Sequence, residues 1–272
     1  MLAAALAFLG GLLIGSFLNV CIYRWPRDLS VVRPRSFCPA CDHPVAWYDN
    51  LPLLSYALLG GRCRHCGQAI SLRYPVVELL TAALLFMVVF SYGPTLAAVK
   101  WGLFNALLVG LIFSDLEERI LPDELTVGGL VAGFLLAVVV PSEPGFVALL
   151  MPADWGRTWQ SVGEALLGAV LSAGLLWLVG TLYLKVRGRE GLGFGDVKMV
   201  AMIGAFLGLE GTLLTVVLGS VVGSVLGLVY IFAMRKQAST YELPFGTFLG
   251  SAALVVALLR DPILSAFHRL GG

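Results

Sequence analysis

The chain has 272 residues, 58% of them hydrophobic and 13% charged, where a soluble domain carries roughly a quarter charged residues. That balance excludes a water-soluble fold of this length and points to a polytopic membrane protein. A formal net charge of +1 supplies no bulk field for nucleic acid, so charge matters here only by its position along the chain.

Apolar runs long enough for a bilayer, roughly 17 to 25 residues each, fall at about 3–23, 76–92, 97–114, 125–141, 162–184, 197–210, 212–234 and 244–260. They predict an all-α polytopic membrane protein of about eight transmembrane helices, with the run at 197–210 the marginal one. The first run lacks a basic leader segment and carries Gly15, Ser16 and Asn19 well inside it, so it reads as a retained helix and not a cleaved signal. The chain then divides into a first transmembrane helix (1–23), a polar cysteine-bearing module (24–75) and a helical membrane body (76–272).

Basic residues set the orientation. Arg24, Arg27, Arg33, Arg35, Arg62, Arg64 and Arg73 lie in the insertion, Lys185, Arg187 and Arg189 in a later loop, and Arg235 and Lys236 in another. All these segments fall on one side of an eight-span arrangement, which places them and the 115–124 loop in the cytoplasm. Lys100 lies near the outer end of the third span, where its stem is expected to snorkel to the interface.

Cys38 and Cys41 form one C-x-x-C pair and Cys63 and Cys66 a second. Two such knuckles suit a structural zinc ion, because four thiolates close a tetrahedral shell and leave no open position. The plain alternative is four free cytosolic thiols or a redox pair. His43 and His65 are expected to be bystanders. Cys21 sits in an apolar run and reads as an ordinary buried thiol.

A carboxylate inside an apolar run needs a reason, because burying it in hydrocarbon is costly. Asp115 stands at the end of the third run, and Asp196 follows Gly191-Leu192-Gly193-Phe194-Gly195 and opens the sixth. On the orientation above both lie at one level. Two close carboxylates hold one proton between them, so one can draw a proton from water while the other polarises a carbonyl. Helix dipoles alone favour Asp196 as the ionised member and Asp115 as the protonated one. Gly193 and Gly195 lack a Cβ, which allows an extended substrate backbone to approach and the chain to turn into the helix. The plain alternatives are a helix cap at Asp196 and an interfacial acid at Asp115.

Several motifs in order resemble the prepilin leader peptidase / N-methyltransferase family, the type IV prepilin peptidases of the GxGD aspartyl protease type. They are Gly15-Ser16-Phe17-Leu18-Asn19-Val20 with Arg24 and Pro26, Arg35-Ser36-Phe37-Cys38-Pro39-Ala40-Cys41, and Asn50-Leu51-Pro52-Leu53-Leu54-Ser55-Tyr56. Then come Cys63-Arg64-His65-Cys66-Gly67, Ile70-Ser71-Leu72-Arg73-Tyr74-Pro75, the Asp115 to Asp123 segment, and Gly193-Phe194-Gly195-Asp196-Val197-Lys198. The resemblance implies an intramembrane aspartic endopeptidase in the bacterial inner membrane, with Asp115 and Asp196 matching the catalytic acids. It also implies that a basic leader is removed from type IV prepilin or pseudopilin precursors of a pilus or type II secretion system. N-methylation of the new amino terminus with S-adenosylmethionine would follow, at residues that the sequence does not identify. Membrane lipid is the only other partner implied, no nucleic acid is expected, and the oligomeric state stays open.

Glu117, Glu118, Asp123 and Glu124 surround Asp115, with Arg119 opposing them. Glu117 and Glu118 are expected to draw in the positive leader, and Asp123, after Pro122, to cap the next helix. Three other functions compete: a presenilin-like intramembrane protease, a proton-coupled transporter using the acids as a relay, and a zinc-bearing membrane scaffold.

Overall fold

The computed structural model describes residues 1–143, 145–152, 154–189, 191–234 and 244–270. Its long helices are α1 (Leu2–Arg24), α3 (Arg73–Tyr92), α4 (Leu96–Glu118), α5 (Asp123–Val139), α6 (Arg157–Arg187), α7 (Phe194–Met234) and α8 (Phe245–Leu270); α2 (Leu54–Leu58) is a short turn inside the cysteine module. Among the described residues the only β structure is a pair of isolated bridges, Phe37 to Pro44 and Arg62 to Ala69.

Five of these helical segments are long and apolar enough to cross a membrane: Leu2–Arg27, Arg73–Tyr92, Leu96–Glu118, Arg157–Arg187 and Phe194–Tyr230. The protein is therefore a multi-pass, all-helical membrane protein. The eight expected runs fall on seven helices, because 197–210 and 212–234 are both carried by α7. That helix breaks at Gly208, whose φ of 72° and ψ of −173° are not helical. Arg235 and Lys236, used above for orientation, lie outside the described residues together with the rest of the 235–243 loop.

The chain forms two compact units, residues 1–114 and 115–272. In the first, α1 packs on α3 through its glycines. A Cβ on Gly11 would stand 2.6 Å from the Ala82 Cα, and one on Gly15 would stand 2.6 Å from the Glu78 Cα. Only backbone fits at those two crossings, which brings the helices to the separation that glycine allows. Asn19 and Cys21 are buried beside them, and the Asn19 amide donates to the carbonyl of Tyr74 at 3.1 Å. Lys100 is only 2% exposed, with its ammonium 5.6 Å from the Trp101 ring centroid. The snorkelling expectation is corrected here, because α4 turns this side chain into the protein.

In the second unit, α6 and α7 cross at Gly168 and Gly204, where a Cβ on Gly204 would lie 2.3 Å from the Gly168 carbonyl carbon. The break in α7 comes one turn later. Glu164, only 4% exposed, accepts hydrogen bonds from the backbone N–H groups of Gly145, Val147 and Leu209. Its carboxylate thereby satisfies an amide freed by the break and holds the 145–147 segment against α6. α6 ends at Gly188 in the left-handed region (φ 68°), with Lys185 and Arg187 in its last turn, where cations complement the helix dipole.

Candidate functional site

Asp115 lies three residues before the end of α4 and is only 5% exposed. Thr247, in the first turn of α8, gives two hydrogen bonds to Asp115 Oδ2, from its backbone N–H at 2.6 Å and from its hydroxyl at 2.9 Å. The preceding residue must be small: a Cβ on Gly246 would stand 3.1 Å from Asp115 Cγ and 3.1 Å from Leu121 Cδ2. The Asp115 carboxyl is therefore held against the N-terminal turn of a helix about 130 residues away in sequence.

Asp196 occupies the first turn of α7, which begins at Phe194. Its carboxylate accepts from the Gly193 backbone, and it lies near enough to Asp115 for that charge to act on it. Leu121 lies beside both stretches of chain, since a Cβ on Gly195 would stand 3.3 Å from Leu121 Cβ. Asp115, Leu121, Gly195, Asp196, Gly246 and Thr247 all belong to the unit formed by residues 115–272.

Neither Gly193 nor Gly195 has a left-handed φ. A Cβ on Gly195 would stand 3.3 Å from Leu121 Cβ, and one on Gly193 would lie 3.4 Å from Asp196 Oδ2. Asp123 is not the cap expected of it. Pro122 occupies the N-cap position, and Asp123 is the first helical residue of α5. Its carboxylate instead forms an ion pair with Lys198, two residues beyond Asp196. This pair ties the start of α5 to the start of α7 beside the two acids.

Glu117 and Glu118 end α4, Glu117 exposed and Glu118 half-buried. Sequence reasoning missed Thr247 and Gly246. The only local signal is Pro244-Phe245-Gly246 ahead of an apolar run, which announces a helix start and nothing about a distant acid.

In the first unit the four cysteines converge. The Sγ atoms of Cys38, Cys41, Cys63 and Cys66 all lie within 4.8 Å of one another, and Cys38 and Cys66 are 3.9 Å apart. A tetrahedral zinc with bonds of about 2.3 Å places its sulfurs about 3.8 Å apart, so the donor set fits that ion. The two knuckles repeat one backbone design. Cys38 N–H donates to the His43 carbonyl and Cys63 N–H to the Gln68 carbonyl. The residue after each second cysteine, Asp42 (φ 54°) or Gly67 (φ 71°), is left-handed.

The Cys63 thiol is brought down to about 7, first by the backbone N–H of Cys66 and next by that of His65. The His43 backbone bond lowers the Cys41 thiol, but burial and the neighbouring Cys66 and Cys38 sulfurs carry it up to about 12. His43 and His65 stack on each other at 4.1 Å and stand outside the cluster. Arg64 forks onto Asp49 at 2.8 and 2.7 Å and holds that carboxyl below its ordinary range.

A family model described as the type IV leader peptidase family matches residues 101–228, and one described as the bacterial peptidase A24 N-terminal domain matches residues 9–92. Relatives named prepilin leader peptidase/N-methyltransferase match most of the chain. One from Aeromonas salmonicida is 36% identical over 287 residues, covering 95% of this chain and 91% of its own. One from Myxococcus xanthus is 41% identical over 244 residues, covering 89% and 67% respectively. One from Pseudomonas aeruginosa is 33% identical over 290 residues, covering 96% and 92%. No solved structure matches the chain.

Proposed function

The chain belongs to the type IV leader peptidase family, and from that membership we propose that it removes the basic leader from type IV prepilin or pseudopilin precursors and then N-methylates the exposed amino terminus. Asp115 and Asp196 are the catalytic acids in this reading. The observation that supports it is that Asp115, near the end of α4, and Asp196, at the start of α7, belong to one compact unit and lie near enough for one charge to act on the other.

Roles follow from hydrogen bonding. Two donors converge on one oxygen of Asp115, whereas Asp196 receives one backbone bond. Hydrogen bonds to a carboxylate favour its anion, so Asp115 acts as the base and Asp196 carries the shared proton. This reverses the assignment that helix dipoles alone suggest. Asp115 takes a proton from the attacking water as its oxygen bonds to the scissile carbonyl carbon, while Asp196 gives its proton to the carbonyl oxygen. The tetrahedral intermediate collapses as that hydroxyl returns its proton to Asp196 and Asp115 passes its own to the leaving amine. The C–N bond breaks, and both acids end as they began.

S-adenosylmethionine, when bound, would supply the methyl group for the free amine, whose proton would leave to solvent. Zinc on Cys38, Cys41, Cys63 and Cys66 is structural, because four thiolates leave no position for substrate. In this reading the eight apolar runs cross the bacterial inner membrane, residues 24–75 form a cytoplasmic zinc module between the first helix (1–23) and the catalytic body (76–272), and the catalytic acids face the cytoplasm. The names borne by the relatives do not favour a presenilin-like protease or a transporter.

Incubating purified protein with a pilin-like precursor and reading product masses tests the proposal. Asp115→Asn and Asp196→Asn should each abolish leader removal while the protein stays folded and inserted. Full cleavage by either variant would remove that residue from the pair.

A further inference from the structure

A cavity of about 380 Å³ opens where the Arg24 end of α1 meets the cysteine module. Its walls are of two kinds. Leu13, Phe17 and Val20 of α1, with Val32 of the loop that follows, form an apolar side, and Arg24, Arg35 and Asn50 form a polar one. Arg24 and Arg35 are the charged residues of the lining, and no acid stands among them. We propose that this cavity holds the anionic headgroup of a membrane phospholipid whose acyl chain runs along the outer face of α1. The inference does not depend on the proteolytic and methyl-transfer reactions proposed above.

The charge is built into the wall. Arg24, only 4% exposed, donates to the carbonyls of Ser30 at 2.8 Å and Arg35 at 3.2 Å. Those bonds use two of its five N–H groups and fold the 30–36 loop along the cavity. Arg35 stands on that loop with its side chain exposed, and its planar guanidinium suits two parallel hydrogen bonds to a phosphate. One buried cation and a second beside the same cavity, with no carboxylate in the lining, carry a desolvation cost that an anion offsets. A neutral or cationic ligand would leave both charges uncompensated.

The apolar side continues beyond the cavity. Leu6, Leu9, Leu13 and Phe17 follow one another at helical spacing and are 60, 58, 63 and 52% exposed. This stripe ends at the cavity, where Leu13 and Phe17 are wall residues. Leu6 to Phe17 spans roughly 17 Å along the helix at about 1.5 Å per residue, close to half of a hydrocarbon core roughly 30 Å thick. Trp47, in the cavity wall, and its neighbour Tyr48 are both exposed, as aromatic rings at headgroup level are. A free phosphate would use the arginines and leave the stripe uncovered, whereas a phospholipid uses both. In the orientation proposed above this is a lipid of the cytoplasmic leaflet.

The test titrates the full-length, zinc-loaded protein in detergent with phosphatidylglycerol or phosphatidylcholine and reads lipid retained per chain by native mass spectrometry. Phosphatidylglycerol should bind at least about fivefold more tightly, the increment that one basic residue contributes at an anionic surface. Arg35→Gln should remove most of that preference, and Arg35→Lys should keep part of it. Val32→Asp sets a carboxylate at an exposed wall position (79% exposed) and should also remove it. Zinc content should stay at the wild-type level in all three, which reports an intact cysteine module. Arg187→Gln removes an exposed arginine that does not line the cavity and should leave the preference unchanged. Equal affinity for the two lipids, or wild-type preference in Arg35→Gln or in Val32→Asp, would overturn the site. An equal loss in Arg187→Gln would overturn it in favour of general attraction to basic surface. Displacement of the lipid by inorganic phosphate would reassign the cavity to a free anion, and displacement by a pilin-like precursor would reassign it to the substrate; either result overturns the lipid site.

Discussion

Thr247 places both of its donors on a single oxygen of Asp115, its backbone N–H at 2.6 Å and its hydroxyl at 2.9 Å. Gly246 packs so closely against the same carboxyl that a Cβ there would come within 3.1 Å of it. The start of α8 is thus a cradle for one of the two acids.

Removing only the hydroxyl isolates that relationship. Thr247→Val keeps the backbone donor and the β-branched shape, and a hydrogen bond to a charged group contributes roughly 1.5–3 kcal/mol. Leader removal should slow by about 10- to 100-fold in kcat, and Thr247→Ser should recover most of it. A pH–rate profile separates positioning from structure: Thr247→Val should shift the acidic limb upward, because the Asp115 anion loses a donor. Equal rates and superimposable profiles would show that the hydroxyl plays no part.

Glu117 and Glu118 end the helix that carries Asp115, where the proposed function would bring the basic leader of a precursor. Reversing both charges, Glu117→Lys with Glu118→Lys, should raise the KM for a basic-leader precursor several-fold. The increase should shrink as salt rises, since charges on exposed groups are screened beyond roughly 8–10 Å at physiological ionic strength. A precursor with a neutral leader serves as the control and should respond little.

The crossing of α6 and α7 leaves no room for a side chain, because a Cβ on Gly204 would sit 2.3 Å from backbone of Gly168. Gly204→Ala should therefore lower thermal stability in detergent by an amount typical of overpacking, about 1–3 kcal/mol. Gly208→Ala adds backbone strain at a φ of 72° and crowds Glu164 at 2.8 Å, and it should also destabilise. Gly174→Ala, where a Cβ meets nothing within 4 Å, should be neutral or slightly stabilising because it lies inside α6.

The cysteine cluster predicts one tightly held zinc per chain by mass spectrometry or elemental analysis. Cys63→Ser should abolish metal retention and raise protease sensitivity between residues 24 and 75, since a small module of this kind draws its folding energy from the ion. Retention of a full equivalent of zinc in Cys63→Ser would show that the four thiols do not share one ion.

The cysteine cluster, and the two acids that come near each other, were legible in the sequence alone. The two C-x-x-C pairs foretold a cluster because thiol spacing is a local property, and Asp115 and Asp196 stood out because an acid in an apolar run has few ordinary explanations. Lys100 and Asp123 were misjudged for a shared reason. Each was read from its neighbours in sequence, whereas the first is buried by the packing of α4 and the second meets Lys198 from a helix 75 residues away.

What the sequence determined by itself was which segments leave water and which residue types were available for chemistry, because hydropathy and ligand spacing act over a few residues. Only the tertiary structure decided how those pieces meet: Thr247 on Asp115, Asp123 on Lys198, and α6 against α7 through bare backbone at Gly168 and Gly204. Such contacts depend on how closely distant helices approach, and that separation is set by the side chains both helices lack or carry at the crossing.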